Sequence, residues 1–284
     1  MKKLVLACID GSPFSPAVCD AAAWAALQMD APLKFLHVLP RGKNAPPVDL
    51  SGNIGLGARE TLLEELATLD EKRGKLAQER GRQMLGAARL RARTAGVAEP
   101  EGLQRHGGLV ETLSAMEEEI RLLVLGKRGE AAEVASEHLG SHLERVIRAL
   151  HRPILVTTSE FRPPQKVMLA FDGSPTARKG LEMVAASPLF RDLPCHLVMV
   201  GADTAEARAD LARARQILEM ARFEVPAVIL PGEAEIVLSD YQKEHGIDLM
   251  IMGAYGHSRI RHLLIGSTTT AMLRKSTIPL LLLR

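Results

Sequence analysis

The chain is poor in aromatics, poor in cysteine and almost without net charge, and each shortage excludes something. Phe, Trp and Tyr make up 3% of the 284 residues. The core must therefore be built from Leu, Val, Ile, Ala and Met. A single-strand nucleic-acid binder, which needs aromatic stacking platforms, is disfavoured. The three cysteines, Cys8, Cys19 and Cys195, show no Cys-x-x-Cys spacing. Cys8 and Cys195 fall in apolar strand-like runs, where cysteine usually serves as a small hydrophobe. So few thiols point away from a disulfide scaffold and toward a reducing compartment. Thirty-six basic against 34 acidic residues leave a net +2, too balanced for an electrostatic footprint on nucleic acid or membrane. No apolar run approaches the ~18 residues of a membrane span. The basic start, Lys2-Lys3 before Leu4–Ile9, is cut at once by Asp10-Gly11-Ser12-Pro13 and reads as a strand, not a signal peptide. The expectation is a cytoplasmic protein with neither a nucleic-acid nor a membrane partner.

What is present is a duplication. At 46% hydrophobic and 25% charged the composition is that of a soluble globular protein, and the length suggests roughly two domains. Residues 4–13, LVLACIDGSP, match residues 166–175, KVMLAFDGSP, and residues 120–129, IRLLVLGKRG, match 247–256, IDLMIMGAYG. Gly140-Ser141 matches Gly266-Ser267, and Pro153–Val156 matches Pro279–Leu282. The blocks keep their order, so the repeat is tandem. Their offset drops from 162 to 127 residues between the first and second blocks. The first half therefore carries about 35 extra residues between its second and third strands. The expected domains are 1–158 and 166–284, joined by a linker that Pro163-Pro164 keeps irregular.

Each half alternates strand and helix. In the second half the apolar runs near 166–171, 195–200, 226–230, 248–252 and 279–283 read as strands covered on both faces. Helical segments fall near 175–186, 204–222, 234–245 and 267–276. That alternation predicts right-handed crossovers and a doubly wound α/β fold, whose ligands bind beyond the carboxyl ends of the strands.

The most informative residues lie at that end. After the fourth strand the second half runs Gly253-x2-Gly256, nine residues, then Gly266-Ser267 and a helix. Glycines after a strand let backbone approach an anion, and a helix beginning at Ser267 offers free amides and a positive dipole end. Ser267 and Thr268 add hydroxyls. His257, Arg259, Arg261 and His262 lie between the glycines with no acid. The residues alone also fit an ordinary helix cap, and Asp172 in Asp-Gly-Ser-Pro could simply hold a turn or cap the next helix.

These motifs together, present in both halves, resemble the universal stress protein family in a tandem form. The resemblance implies two doubly wound domains, each a five-stranded parallel sheet in order 3-2-1-4-5 with helices on both faces. It implies ATP binding, alone or with Mg²⁺, at Asp172, Val200, Gly253, Gly256, His257, Gly266, Ser267 and Thr268. Family members pair through their last strands, so the two halves are expected to form an intramolecular pseudo-dimer through 153–157 and 279–283. A homodimer of the whole chain stays open.

The first half departs from the pattern. Ten residues, not nine, separate Gly129 from Gly140, and they include Glu130, Glu133 and Glu137. Ser141-x-x-Glu144 also spells a capping box, which would use the amides a phosphate needs. The first site is expected to be degenerate, with one nucleotide per chain. No residue stands out as catalytic. The leading expectation is a nucleotide-dependent sensor or regulator. The alternatives are a slow ATPase or nucleotidyl-transfer enzyme, with His257 as the one base in reach, and a ligand-free interaction module. His138 and His142, four apart, are a weak metal pair lacking a third ligand.

In the insertion, about 41–95, residues 41–57 read as a loop and 58–95 as a long helix interrupted at Gly74, Gly81 and Gly86. Leu62, Leu66, Leu69 and Leu76 form an apolar stripe. Early Glu60, Glu64 and Glu65 and late Arg89, Arg91 and Arg93 match the helix dipole. The favoured expectation is a helix packed on its own domain; the alternative is a lid or partner surface.

Overall fold

A computed structural model describes residues 2–40, 56–129, 141–254 and 266–284, with backbone alone described at 56–64 and 141–142. The first half runs β1 (Leu4–Cys8), α1 (Ser15–Met29), β2 (Leu33–Leu39), α2 (Leu56–Thr94), β3 (Glu101–His106), α3 (Leu109–Ala115), β4 (Ile120–Gly126), α4 (Ser141–Ala149) and β5 (Ile154–Thr157). The second runs β6 (Val167–Ala170), α5 (Pro175–Ala186), β7 (Cys195–Val200), α6 (Ala205–Met220), β8 (Ala227–Leu230), α7 (Ala234–His245), β9 (Leu249–Gly253), α8 (Ser267–Lys275) and β10 (Leu280–Leu283). Among the described residues no helix is long and apolar enough to cross a membrane.

The ten strands form one sheet in the order β3-β2-β1-β4-β5-β10-β9-β6-β7-β8. Each half is parallel throughout and has the internal order 3-2-1-4-5. The pairing that joins them is antiparallel, with Leu280 opposite Val156, Leu281 opposite Leu155 and Leu282 opposite Ile154. An all-leucine terminal strand at a free edge would offer a sticky template. Here Leu280, Leu281, Leu282 and Leu283 are all buried. Trp24 of α1 reinforces the seam, with its ring 5.5 Å from Phe161 in the linker and 6.5 Å from Phe190 of the second half.

Helices cover both faces, as the unbroken apolar strands require. α1, α2, α5 and α6 pack on one face through residues such as Val18, Leu85, Leu181 and Leu218. α3, α4, α7 and α8 pack on the other through Leu113, Ile147, Leu238 and Leu273. Both cores cross the seam without interruption. Cys8, Cys19 and Cys195 are free thiols. Burial pushes Cys19 and Cys195 up to about 12, and burial followed by the Asp10 carboxylate raises Cys8.

α2 corrects the expectation of an interrupted helix, and it packs on its own domain only over its last third. It is one helix of 39 residues that passes through Gly74, Gly81 and Gly86. It begins at Leu56, so its first turn holds no acid, and the late basic residues are Arg91 and Arg93. Gly81 has a positional reason. A Cβ there would strike the Gln104 amide and the His37 ring, so glycine lets the helix cross β2 and β3 closely. From that point Leu85, Ala88 and Ala92 are buried, and Arg91 grips Asp20 of α1 with two bonds of 2.6 and 2.7 Å. The stripe expected to pack does not. Leu66, Leu69 and Leu76 are exposed. The loop expected at 41–57 lies almost wholly outside the described residues.

Candidate functional site

The carboxyl ends of β6, β7 and β9 lie side by side in the second half. Each carries one of the expected residues. Asp172 follows β6, Val200 ends β7 and Gly253 ends β9. Asp172 is exposed, while Val200 and Gly253 are half-buried. Gly173 bends the chain at φ +71°, which a side chain would resist. Within the turn Asp172 Oδ1 accepts the Ser174 amide at 3.0 Å. Ser174 Oγ then accepts the Ala177 amide at 3.1 Å and is the true N-cap of α5. The carboxylate thus shapes the turn, and Ser174 caps the helix.

α8 delivers Gly266, Ser267 and Thr268 to the same edge. Thr269 is buried, and its hydroxyl donates to the Gly253 carbonyl at 3.1 Å, tying the helix start to the end of β9. Gly266 is the N-cap and supplies no capping side chain. The first turn of α8 has no acidic residue and its last turn carries Arg274 and Lys275. A helix start with no side-chain cap from its N-cap residue, no acid in its first turn and nearby hydroxyls suits an anion. Gly256 and His257 lie outside the described residues. The mouth is flanked by Asp210 of α6, whose carboxylate pairs with Arg178 at 3.1 Å and with Arg213. Hydrogen bonding from Arg213 first, then the nearby Arg178 charge, holds the Asp210 carboxyl below its ordinary value.

The first half has the same frame and a different filling. Asp10 Oδ1 accepts the Ser12 amide at 3.1 Å, and Gly11 bends at φ +78°. But Phe14 stands against Gly126 so closely that a Cβ on the glycine would fall 2.7 Å from that of Phe14. Its counterpart across the repeat is Thr176, and a Cβ on Gly253 would meet Thr176 at an ordinary 3.6 Å. Gly129 folds onto Asp10, so that a Cβ there would lie 2.7 Å from Asp10 Oδ2. From above, Met84 and Arg80 of α2 close over Gly11, with Met84 Sδ 2.8 Å and Arg80 3.2 Å from where a Cβ would be. The three loop glutamates and Gly140 lie outside the described residues, as does His138. Glu144 turns toward arginines, Arg148 at 3.3 Å and Arg274 of the other half at 4.0 Å.

Reading the repeat one residue past Asp-Gly-Ser-Pro would have revealed the Phe14–Thr176 difference. Two further residues leave no such sequence signal. Lys127 sends its ammonium across the seam to the carbonyls of Arg274 and Ser276, at 2.7 and 2.9 Å, at the C-terminal end of α8. Arg284 does the reverse, donating to the carbonyls of Ile147, Arg148 and Leu150 at the end of α4. Each half thus caps a helix of the other with a cation, the favourable sign at a helix C-terminus.

A parallel doubly wound sheet, glycine turns at its carboxyl edge and a helix start beside them define the class: a doubly wound α/β protein, doubled in one chain. The model of the universal stress protein family matches residues 1–158 and 164–284, and the chain belongs to that family. It is 40% identical to universal stress protein Slr1230 of Synechocystis, over 99% of this chain and 100% of that protein. It is 28% identical to universal stress protein Rv1996 of Mycobacterium tuberculosis, over 62% of this chain and 60% of that one. A universal stress protein of Archaeoglobus fulgidus has the same fold, with a TM-score of 0.73 at 19% identity, covering 99% of this chain and 98% of that one.

Proposed function

We propose that the chain binds one adenine nucleotide, ATP alone or with Mg²⁺, at the carboxyl edge of β6, β7 and β9, and acts as a nucleotide-dependent sensor or regulator. The units of this proposal are 1–158, which supports, and 166–284, which binds. One observation carries it: among the described residues the first frame is packed more closely than the second, where Asp210 Oδ2 alone approaches Gly173, 3.1 Å from where a Cβ would be. Phe14, Gly129 and α2 occupy the first edge. The second has Thr176 at ordinary distance, an exposed Asp172 and an α8 with no side-chain cap.

The residues fit the ligand by their chemistry. Gly253, Gly266, Ser267 and Thr268, with Gly256 and His257 by sequence, would hold the phosphates. Asp172 would accept from a ribose hydroxyl, and Val200 would give the base an apolar contact. The stretch 254–265 contains no carboxylate to hold a catalytic metal or act as a base, so the reading is of a binder. Turnover is expected to be negligible beside the ~1–10³ s⁻¹ of ordinary enzymes. Free thiols at all three cysteines suit a reducing compartment, and the cytoplasm is part of the proposal.

The test is a mass measurement of nucleotide released from the purified chain, followed by calorimetry with ATP. One ATP per chain supports the reading. No bound or binding nucleotide, or two per chain, removes it. Since a universal stress protein has been solved in complex with cAMP, cAMP is the competitor to run beside ATP.

A further inference from the structure

The 39 residues of α2 span about 58 Å at 1.5 Å each, and only the last third is built into the molecule. From Gly81 onward the helix has buried positions; from Glu65 to Ala77 every residue is exposed. That stretch is an arm with no covered face. A solvated arm has no use for a hydrophobic stripe, yet Leu66, Leu69 and Leu76 are 39%, 49% and 70% exposed. They follow one another at three and seven residues, the spacing of a coiled-coil seam.

We propose that this arm pairs antiparallel with the same arm of a second copy of the chain. The charges on either side of the seam choose that occupant and its direction. In heptad terms Leu66 and Arg73 take position a, Leu69 and Leu76 position d, Glu65 and Lys72 position g, and Asp70 position e. A parallel in-register pair sets a against a, so Arg73 would face its own copy. It also sets g beside e, so Glu65 would lie beside the second copy's Asp70. All of these contacts are repulsive. An antiparallel pair sets a against d and g beside g. Leu66 then faces the second copy's Leu69, and Leu69 its Leu66. Glu65 lies beside the second copy's Lys72, and the same contact repeats across the two-fold axis. Nearby Asp70 and Glu71 already pair within the arm, with Arg73 and Lys75. Glu65 and Lys72 have no ion-pair partner among the described residues. In this register Leu56 lies across from Glu79. The paired length is about 36 Å, with the Leu66 and Leu69 contacts at its centre. The base of the arm is fixed by Arg91 on Asp20 and by Leu85, Ala88 and Ala92, so the seam faces a set direction.

Sedimentation velocity of the full chain over a concentration series tests this. The wild type is expected to be a dimer, and Leu69→Glu a monomer with unchanged helical content, since the position is exposed. Glu65→Lys alone and Lys72→Glu alone should each weaken dimerisation by roughly ten-fold, because two attractive contacts become repulsive. The double change, Glu65→Lys with Lys72→Glu, should restore it. A wild type that stays monomeric overturns the proposal. So does a dimer that survives Leu69→Glu, or one that Glu65→Lys tightens, as parallel pairing requires.

Discussion

The two carboxyl edges of the sheet differ more than their motifs do. Both have Asp-Gly-Ser-Pro after the first strand, a glycine turned at positive φ, and a glycine ending the fourth strand. At one edge Phe14 abuts Gly126, Gly129 lies on Asp10, and α2 closes over Gly11. At the other, Thr176 leaves Gly253 ordinary clearance, Asp210 approaches Gly173, and Gly266 gives the start of α8 no side-chain cap. A glycine frame therefore says where a ligand could sit, and the neighbours of the frame decide whether space is left. The first edge also lends Lys127 to the helix of the second.

Gly266→Val should break the comparison most completely. A branched side chain at the N-cap of α8 blocks approach to its first turn, and ATP binding should be lost in calorimetry with the fold retained. Gly140→Val, the matching change in the first half, should leave affinity as it was. Exchanging the packing residues sharpens the contrast. Thr176→Phe should lower ATP affinity more than ten-fold by filling the second edge as Phe14 fills the first. Phe14→Thr should leave one ATP per chain, because Gly129 and Met84 still occupy that edge; a second equivalent bound would show that Phe14 alone closes it.

Smaller effects lie at the seam and beneath the sheet. Lys127→Met removes two charge-assisted bonds to the end of α8 and should cost about 1–2 kcal/mol, read as a lower denaturant midpoint at unchanged slope. Burial, and then Arg128, hold the Lys127 ammonium below its ordinary value, so part of its bonding energy is offset by desolvation. The smallest effect is one of pH. His196 is buried, bonded to the Tyr241 hydroxyl at 2.8 Å and close to the His245 ring. Burial first, then Lys166 and His245, hold it below the ordinary 6.5, against a weaker opposite pull from Glu224. The unfolded chain takes up a proton more readily than the folded one. Stability should therefore fall as pH drops below 6.5 and recover as pH rises through it. His196→Gln should flatten that slope in urea titrations. The matching residue of the first half is Lys34, half-buried and paired with Glu101 at 3.1 Å.

Much of the fold was legible because parallel strands buried on both faces leave unbroken apolar runs. The second-half strand at 195–200 and the helices at 175–186 and 234–245 match Cys195–Val200, Pro175–Ala186 and Ala234–His245. The position of Val200 was legible too, since the repeat aligns it with Val38 and both end up two residues past a carbonyl that takes an amide from the first strand's end. The glycines of α2 misled for a local reason. Glycine weakens a helix by about 1 kcal/mol, which suggests a break, but Gly81 is held where β2 and β3 need a surface without a side chain.

The sequence by itself determined the duplication, the α/β alternation, the order of the motifs and their arrival at one end of the sheet, because these follow from short-range periodicity and from an internal copy to compare. Only the tertiary structure decided which residues pack against each edge, that α2 leaves the domain as a bare arm, and that Lys127 and Arg284 cap each other's half. Those outcomes depend on contacts between residues far apart in the chain, such as Phe14 with Gly126 or Lys127 with Ser276. Local pattern carries no record of such distant neighbours, since packing chooses them only once the sheet has formed.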